Sequence, residues 1–309
     1  MDDSLQLMLN TSDENFERIL TNPILDIAAR FWDNERYLAF KECYRSMRQI
    51  DDVIDLRKAD GNSISPAEKD FLKKSIREYS ANLIGRNDSP ELTGLLQTMS
   101  KFRIPPWPWQ RLGRAMIYDL DHNGFNSFNT FLRYCEGAAI APASVFVHLC
   151  GIKKIKNSYE PPDFDIRKGA RALAIFSYLV HIMRDFEKDQ LRNLNYFADD
   201  ILQKCRLEKE TLRKLVEKKM FDDRIAMLFA EYKSIAEFYQ RLARQTFKTL
   251  LPKLAPKYQL SLHIIYALYS HLFEKVEPQN QTFSKTDLNL SPDEVQKRIK
   301  LTVSAFRPV

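Results

Sequence analysis

The chain has only 8 glycines in 309 residues. Neither a GxxxxGK[ST] loop nor a GxGxxG turn occurs in it, which excludes the glycine-rich phosphate cradles of nucleotide-binding folds. Its four cysteines, Cys43, Cys135, Cys150 and Cys205, stand far apart with no CxxC pair. That spacing favours reduced thiols over a disulfide or zinc framework and makes the cytoplasm the expected compartment. No uninterrupted apolar run reaches the roughly 18 residues of a transmembrane helix. The first twenty residues, MDDSLQLMLNTSDENFERIL, are acidic and lack a basic start followed by an apolar stretch, so no secretory signal is expected. Blocks of one charge are missing too, because 47 Lys and Arg are interleaved with 41 Asp and Glu. Nucleic acid is therefore not an expected partner, whereas the net charge of +6 suits anionic substrates or peripheral contact with an anionic membrane.

What is present points to helices. Hydrophobic residues make up 44% of the chain, including 20 Phe and 13 Tyr, enough for a sizeable core. Long stretches place apolar residues at spacings of three and four, and none alternates over a strand's length between turn pairs. The pattern predicts an all-α fold in a single domain, residues 1–309, with a core over about 20–276 and a polar C-terminal segment, 277–309.

DNERYLAFKECYRSMRQIDDVIDLRKA reads as one long helix, and DGNSISPAEK ends it and opens the next near Ala67 with a serine and a proline. The prolines of RIPPWPWQ, 103–110, predict a turn whose Trp107 and Trp109 cover the core. From Ser127 a helix runs through FLRYCEGAAIAPASVFVHLCG, a polar linker KKIKNSYEPPDFD follows, and a long helix extends from Ile166 to about Asp189. Further amphipathic helices fall in 206–248 and 258–276, and the last thirty residues are polar and are given no element.

Two clusters carry the chemistry. In YRSMRQIDDVID, Tyr44, Arg48, Asp51 and Asp55 step by four, three and four, which puts them on one helix face. Carboxylates four apart repel by roughly 0.2–0.5 kcal/mol on an exposed helix, so something positive must lie between them. In HIMRDFEKD, Tyr178, His181, Asp185 and Asp189 share a face in the same way, with Arg184 and Arg192 nearby and Tyr196 beyond. One DxxxD pair is ordinary on a charged helix, but two on apolar-patterned helices, each with an arginine just before its first Asp, are more specific. Mg²⁺ takes one or two carboxylates, several waters and phosphate oxygens, so facing pairs suit a magnesium-borne diphosphate, with Arg48 and Arg184 on its oxygens. Substituting Asp51 or Asp185 by Ala is expected to abolish turnover and leave the helices intact.

The two aspartate motifs, with RYCEGAAIAPA between them and IIYALYSHLFEKVE after them, resemble the squalene/phytoene synthase family over roughly residues 30–275. The resemblance implies an isoprenoid synthase bundle around a central apolar cavity. It implies a prenyltransferase that condenses two farnesyl or geranylgeranyl diphosphates head to head through a cyclopropylcarbinyl diphosphate. It places Mg²⁺ on Asp51, Asp52, Asp55, Asp185 and Asp189, and catalytic roles on Tyr44, Arg48, Tyr134, Arg184 and Tyr196. Substrate contacts fall to Arg48, Asp119, His181, Arg184 and Tyr269, and NADPH joins as reductant if the product is squalene. Two readings of Ala138, Ala139, Ala141 and Ala143 stand side by side: the wall of an apolar tunnel, or close helix packing.

The chain departs from the family pattern in places. TNPILDIAARFW stands where a Ser-x-Ser-Phe stretch is usual. Tyr178 and His181 replace Gln and Asn, Leu194 replaces an Arg, and Ile140 and Ala143 replace glycines. His181 reads as a ligand, a hydrogen-bond donor or a structural residue of the wall. A non-catalytic relative acting as a lipid-binding or assembly factor is the alternative function; a terpene cyclase or chain-elongating prenyltransferase fits the paired DxxxD less well. The oligomeric state is not legible.

Overall fold

The computed structural model describes residues 24–59, 63–85, 90–280 and 283–309. The N-terminal stretch read above as lacking a secretory signal lies outside them. Helices α1 (Ile24–Ala29), α2 (Asn34–Ala59), α3 (Pro66–Gly85), α4 (Thr93–Lys101) and α5 (Trp107–Asp121) come first. They are followed by α6 (Phe128–Cys135), a π-helical turn at Glu136–Ile140, and α7 (Ala141–Gly151). A hairpin of β1 (Lys153–Ile155) and β2 (Ser158–Glu160) leads to α8 (Ile166–Arg184), α9 (Phe186–Leu191), α10 (Asp199–Lys204) and α11 (Lys209–Glu217). The long α12 (Asp223–Leu250) and α13 (Pro256–Glu274) precede the short α14 (Lys285–Leu288) and α15 (Pro292–Ala305). The fold is all-α apart from the hairpin, and one continuous apolar core joins residues from Ile27 to Ile299.

Local chemistry sets the helix starts. Asp33 accepts from the Arg36 backbone N–H at the head of α2, Ser127 caps α6, Asp165 caps α8 and Asp222 caps α12. Arg36, buried, donates to the carbonyls of Leu149 and Ile152 at 2.9 Å each and so satisfies the end of α7. Its guanidinium also lies 4.3 Å from the centre of the Tyr258 ring on α13. These contacts tie α2 to the two central helices that flank it.

Four expectations change. RIPPWPWQ is no mere turn, because Pro106 is the N-cap of α5 and Pro108 its second residue, where a missing N–H does no harm. Trp109 is fully buried there, and its indole N–H donates to Ser46 Oγ on α2 at 2.9 Å. The linker KKIKNSYEPPDFD contains the hairpin, held by Lys153↔Glu160, Lys154↔Tyr159 and Ile155↔Ser158 pairing. Tyr159 is its buried residue, 4.6 Å from the Phe102 ring. The helix from Ile166 does not run evenly to Asp189; it breaks at Asp185 (φ −92°, ψ 6°) and resumes as α9. Finally, the polar C-terminal segment forms α15, opened by a capping box in which Ser291 and Glu294 bond each other's backbone N–H groups. Ile299 anchors it to the core.

Among the described residues no helix is long and apolar enough to cross a membrane, and all four cysteines are free and buried.

The π turn packs on α5 at the closest backbone approach available to a glycine. A Cβ built on Gly137 would stand 2.1 Å from the Arg111 carbonyl oxygen and 2.7 Å from Ala115 Cβ. Ala141 is likewise fully buried, while Ala138, Ala139 and Ala143 remain half-buried. Of the four alanines only Ala141 is fully enclosed by packing, and Gly137 just before them is a packing residue. Gly137→Ala is expected to lower stability by about 1–3 kcal/mol, as backbone overpacking does, read as a fall in the urea midpoint at unchanged m-value.

Candidate functional site

Helix α2 presents its charged face where α5, α8 and α9 also arrive. Arg48 is the positive group between the carboxylates: its Nη1 lies 2.5 Å from Asp51 Oδ2, and its Nη2 pairs with Asp52. Further along α2, Lys58 reaches 3.7 Å from Asp119 Oδ1 on α5, and Asp119 accepts from the Tyr134 hydroxyl of α6 at 2.6 Å. Both Asp119 and Tyr134 are buried.

The second cluster is built differently. Asp185 accepts from Arg184 Nε at 2.8 Å and Nη2 at 3.0 Å, and from His181 Nε2 at 3.0 Å, with Lys188 Nζ at 3.8 Å. A carboxylate can only accept, so His181 carries its proton on Nε2, while Arg184 Nη2 lies against the ring, 3.2 Å from Nδ1 and 3.3 Å from Nε2. Burial pushes the His181 pKa down, which keeps this neutral tautomer. Of the three readings of His181, the geometry fits a hydrogen-bond donor that orients Asp185.

Electrostatics joins the two clusters. Burial, aided by the charge of Asp55 and countered by Arg48, raises Asp51 to about 7. Burial, with the charges of Asp185 and Asp55, raises Asp189 to about 7. Burial likewise raises Asp119 to about 6 and moves Asp55 upward. Asp185 is the exception: although burial opposes it, hydrogen bonds from His181 and Arg184 hold its carboxyl well below the usual range. Asp51, Asp55, Asp119 and Asp189 therefore feel one another across the space between α2, α5 and α9.

That space is recessed. His181 keeps 44% of its side-chain surface open, yet its pKa falls through desolvation, as expected of a group that water reaches but protein surrounds. Tyr178, Tyr196 and Tyr269 combine partial exposure with hydroxyl pKa values raised by burial in the same way. Tyr44, raised to about 12 by burial, lies near Tyr269 and Asp51, and Tyr269 near Arg184 and Asp185. Tyr44, Tyr178, His181, Tyr196 and Tyr269 thus gather about the two acid clusters, whereas Asp119 and Tyr134 are buried and Asp52 is partly open to solvent. Arg192 is exposed to solvent, and Arg48 keeps 46% of its side-chain surface open.

Sequence reasoning missed Lys58, Lys188 and the role of Tyr178. Both lysines lie three residues after a motif aspartate, Asp55 and Asp185, so the helical spacing that found the acids also marks them. Where a Ser-x-Ser-Phe stretch was looked for, α1 carries a buried Asp26 that accepts from the Tyr37 hydroxyl at 3.1 Å and pairs with Arg30 at 3.3 Å. Leu194 is a buried core residue. Among the described residues no three His, Cys, Asp or Glu side chains converge closely enough to hold one ion alone.

The profile of the squalene/phytoene synthase family matches residues 27–303. The chain belongs to that family. It is 27% identical to phytoene synthase 1, chloroplastic, of Zea mays over 180 residues, 58% of this chain and 42% of that protein. It is 27% identical to phytoene synthase 2, chloroplastic, of Oryza sativa subsp. japonica over 179 residues, 58% and 43% respectively. The match spans about two fifths of the length of these curated relatives. Among solved structures, a dehydrosqualene synthase superposes with a TM-score of 0.67 at 15% identity, covering 98% of this chain and all of that one. A squalene synthase from Alicyclobacillus acidocaldarius gives 0.52 at 15% identity, covering 81% of this chain and 98% of that one. These likenesses establish the isoprenoid-synthase fold for this family member.

Raised carboxyl pKa values have a sign that can be read in stability. Between roughly pH 4 and 7, Asp51 and Asp189 hold a proton in the folded protein and lose it in the unfolded chain, so stability should fall as pH climbs through that window. In EDTA, urea midpoints measured from pH 5 to 8 should decline. Asp51→Asn and Asp189→Asn should flatten the slope and gain about 1–2 kcal/mol at pH 8. A parent profile that rises with pH would contradict the assignment.

Proposed function

We propose that this family member is a prenyltransferase that condenses two prenyl diphosphates head to head, by way of a cyclopropylcarbinyl diphosphate. The observation that carries this reading is the pair of facing acid clusters, each with its own arginine, whose carboxylates repel one another in a recess. Desolvated, mutually repelling carboxylates are relieved by a divalent cation, so the donor set fits Mg²⁺. Asp51, Asp52, Asp55, Asp185 and Asp189 would hold it. Few ligands per ion suit the lack of a closed all-protein cage, since Mg²⁺ keeps waters and takes phosphate oxygens. Bound there, the ion would neutralise charge on a departing diphosphate.

The protein's own groups do the rest. Arg48 and Arg184 are already oriented by Asp51 and Asp185 and offer further N–H donors to diphosphate oxygens. His181 and Arg184 keep Asp185 ionised. Tyr44, Tyr196 and Tyr269 line the recess, and Asp119 fixes the buried Tyr134. The substrates are farnesyl or geranylgeranyl diphosphate, and NADPH is required only if the product is squalene. The non-catalytic alternative drew on His181, and a histidine that orients a motif aspartate supports catalysis instead. Any contact with a membrane is peripheral.

Incubating the purified protein with Mg²⁺ and either diphosphate, with and without NADPH, and extracting into organic solvent should yield a thirty- or forty-carbon product that EDTA abolishes. Asp51→Ala and Asp185→Ala should each lower kcat/KM by about 10²-fold or more. Their stabilities should diverge. Asp51→Ala removes a repelling acid, whereas Asp185→Ala strands Arg184 and His181 without their acceptor. Full activity in Asp51→Ala would refute the site.

A further inference from the structure

Tyr178 on α8 sits where the aromatic side chains of the recess meet. Its ring centre lies 5.9 Å from Phe131, 6.4 Å from Tyr134, 6.2 Å from Tyr196 and 6.4 Å from His181. The Tyr196 ring stands edge-on to it, at 80°. Burial raises its hydroxyl pKa well above the usual value, and the charges of Asp119 and Asp51 add to the rise. The residue is only half-buried, so part of its surface is left uncovered beside His181 and Tyr196. Phe131 and Tyr134 are fixed from behind by Phe125, at 5.4 and 5.1 Å, so this aromatic wall is rigid. An electron-rich wall of this kind beside acids that hold a leaving group is suited to a positive charge that appears after the leaving group departs.

We infer that Tyr178 is a product-determining residue, whose ring stabilises the allylic or cyclopropylcarbinyl cation of the reaction and shields it from water. The inference rests on the head-to-head reading above. When the carbon–oxygen bond to diphosphate breaks, the electron pair leaves with the diphosphate and the cation has two fates. The double bond of the other chain, or a neighbouring bond of the same skeleton, supplies the electron pair of a new carbon–carbon bond, and the charge so moved is discharged by loss of a proton to diphosphate or, for a squalene product, by hydride from NADPH. Alternatively water adds, a new carbon–oxygen bond forms, and the water proton passes to diphosphate, giving an alcohol. A ring face against the cation favours the first fate because it excludes water while lowering the energy of the charge.

The experiment compares wild type, Tyr178→Phe and Tyr178→Leu with Mg²⁺ and farnesyl or geranylgeranyl diphosphate, each checked for native helicity by circular dichroism. Diphosphate release, kcat, KM and the ratio of alcohol to hydrocarbon are measured. Tyr178→Leu should lower kcat by about tenfold, the rate equivalent of about 1.4 kcal/mol, with KM changed less than about threefold. Its alcohol fraction should rise. Tyr178→Phe keeps the ring and should stay within about threefold of wild type in kcat, with the same product ratio. If Tyr178→Leu matches wild type in kcat and products, or Tyr178→Phe falls as far as Tyr178→Leu, the ring has no such role. If wild type itself releases no diphosphate and forms no prenyl product, it is the head-to-head reading that fails, and the inference falls with it.

Discussion

The structure is organised around the repulsion of like charges in a half-desolvated recess. Asp51, Asp55, Asp119 and Asp189 come from three helices, α2, α5 and α9, and burial raises the energy of ionising any of them beside the others. A fold can hold such a set only if packing elsewhere is strong enough to force the helices together. That packing is visible behind the acids, in the core that runs from α1 to α15 and in Trp109 bonded to Ser46 across α5 and α2. The clusters are also tuned unequally. Arg184 and His181 make Asp185 a permanent anion, whereas Asp51 and Asp189 hover near neutrality. The fixed negative charge of Asp185 gives a cation its first anchor, and a cation held by the full set would displace the protons of Asp51 and Asp189.

Much of this was legible in the chain. The face made by Tyr44, Arg48, Asp51 and Asp55 follows from helical spacing alone, and the demand for a positive group among the acids is met by Arg48. Asp119 and Tyr134 came through family resemblance, and no local pattern joins residues of α5 and α6 into a hydrogen bond. The interruption at Asp185 was invisible, because neither proline nor glycine marks it and the backbone bonds from His181 to Asp185 and Asp185 to Asp189 persist at 2.9 Å on either side.

The hairpin was missed for a different reason. Its strands are three residues long and turn through Lys156 and Asn157, with Lys156 at φ 53°, a position for which lysine gives no signal. The C-terminal helix was the reverse case: Ser291, Pro292 and Glu294 spell a helix start, yet the polar composition of the segment masked it. Burial of Ile299 comes from docking on α13, and only the assembled fold shows it.

The π turn between α6 and α7 has one further consequence, for the lengths that related chains can tolerate. Such a turn is an α-helix with one residue inserted, so deleting a single residue from Glu136–Ile140 would restore ordinary winding and rotate everything beyond it by about 100° about the helix axis. Tyr134 would keep its place against Asp119 while Ala141, Ser144 and Phe146 turned out of the core they now fill. The composition of this stretch can drift, but its residue count is locked to the phase of α7. The β1–β2 connection nearby has no such phase to preserve, and insertions belong there.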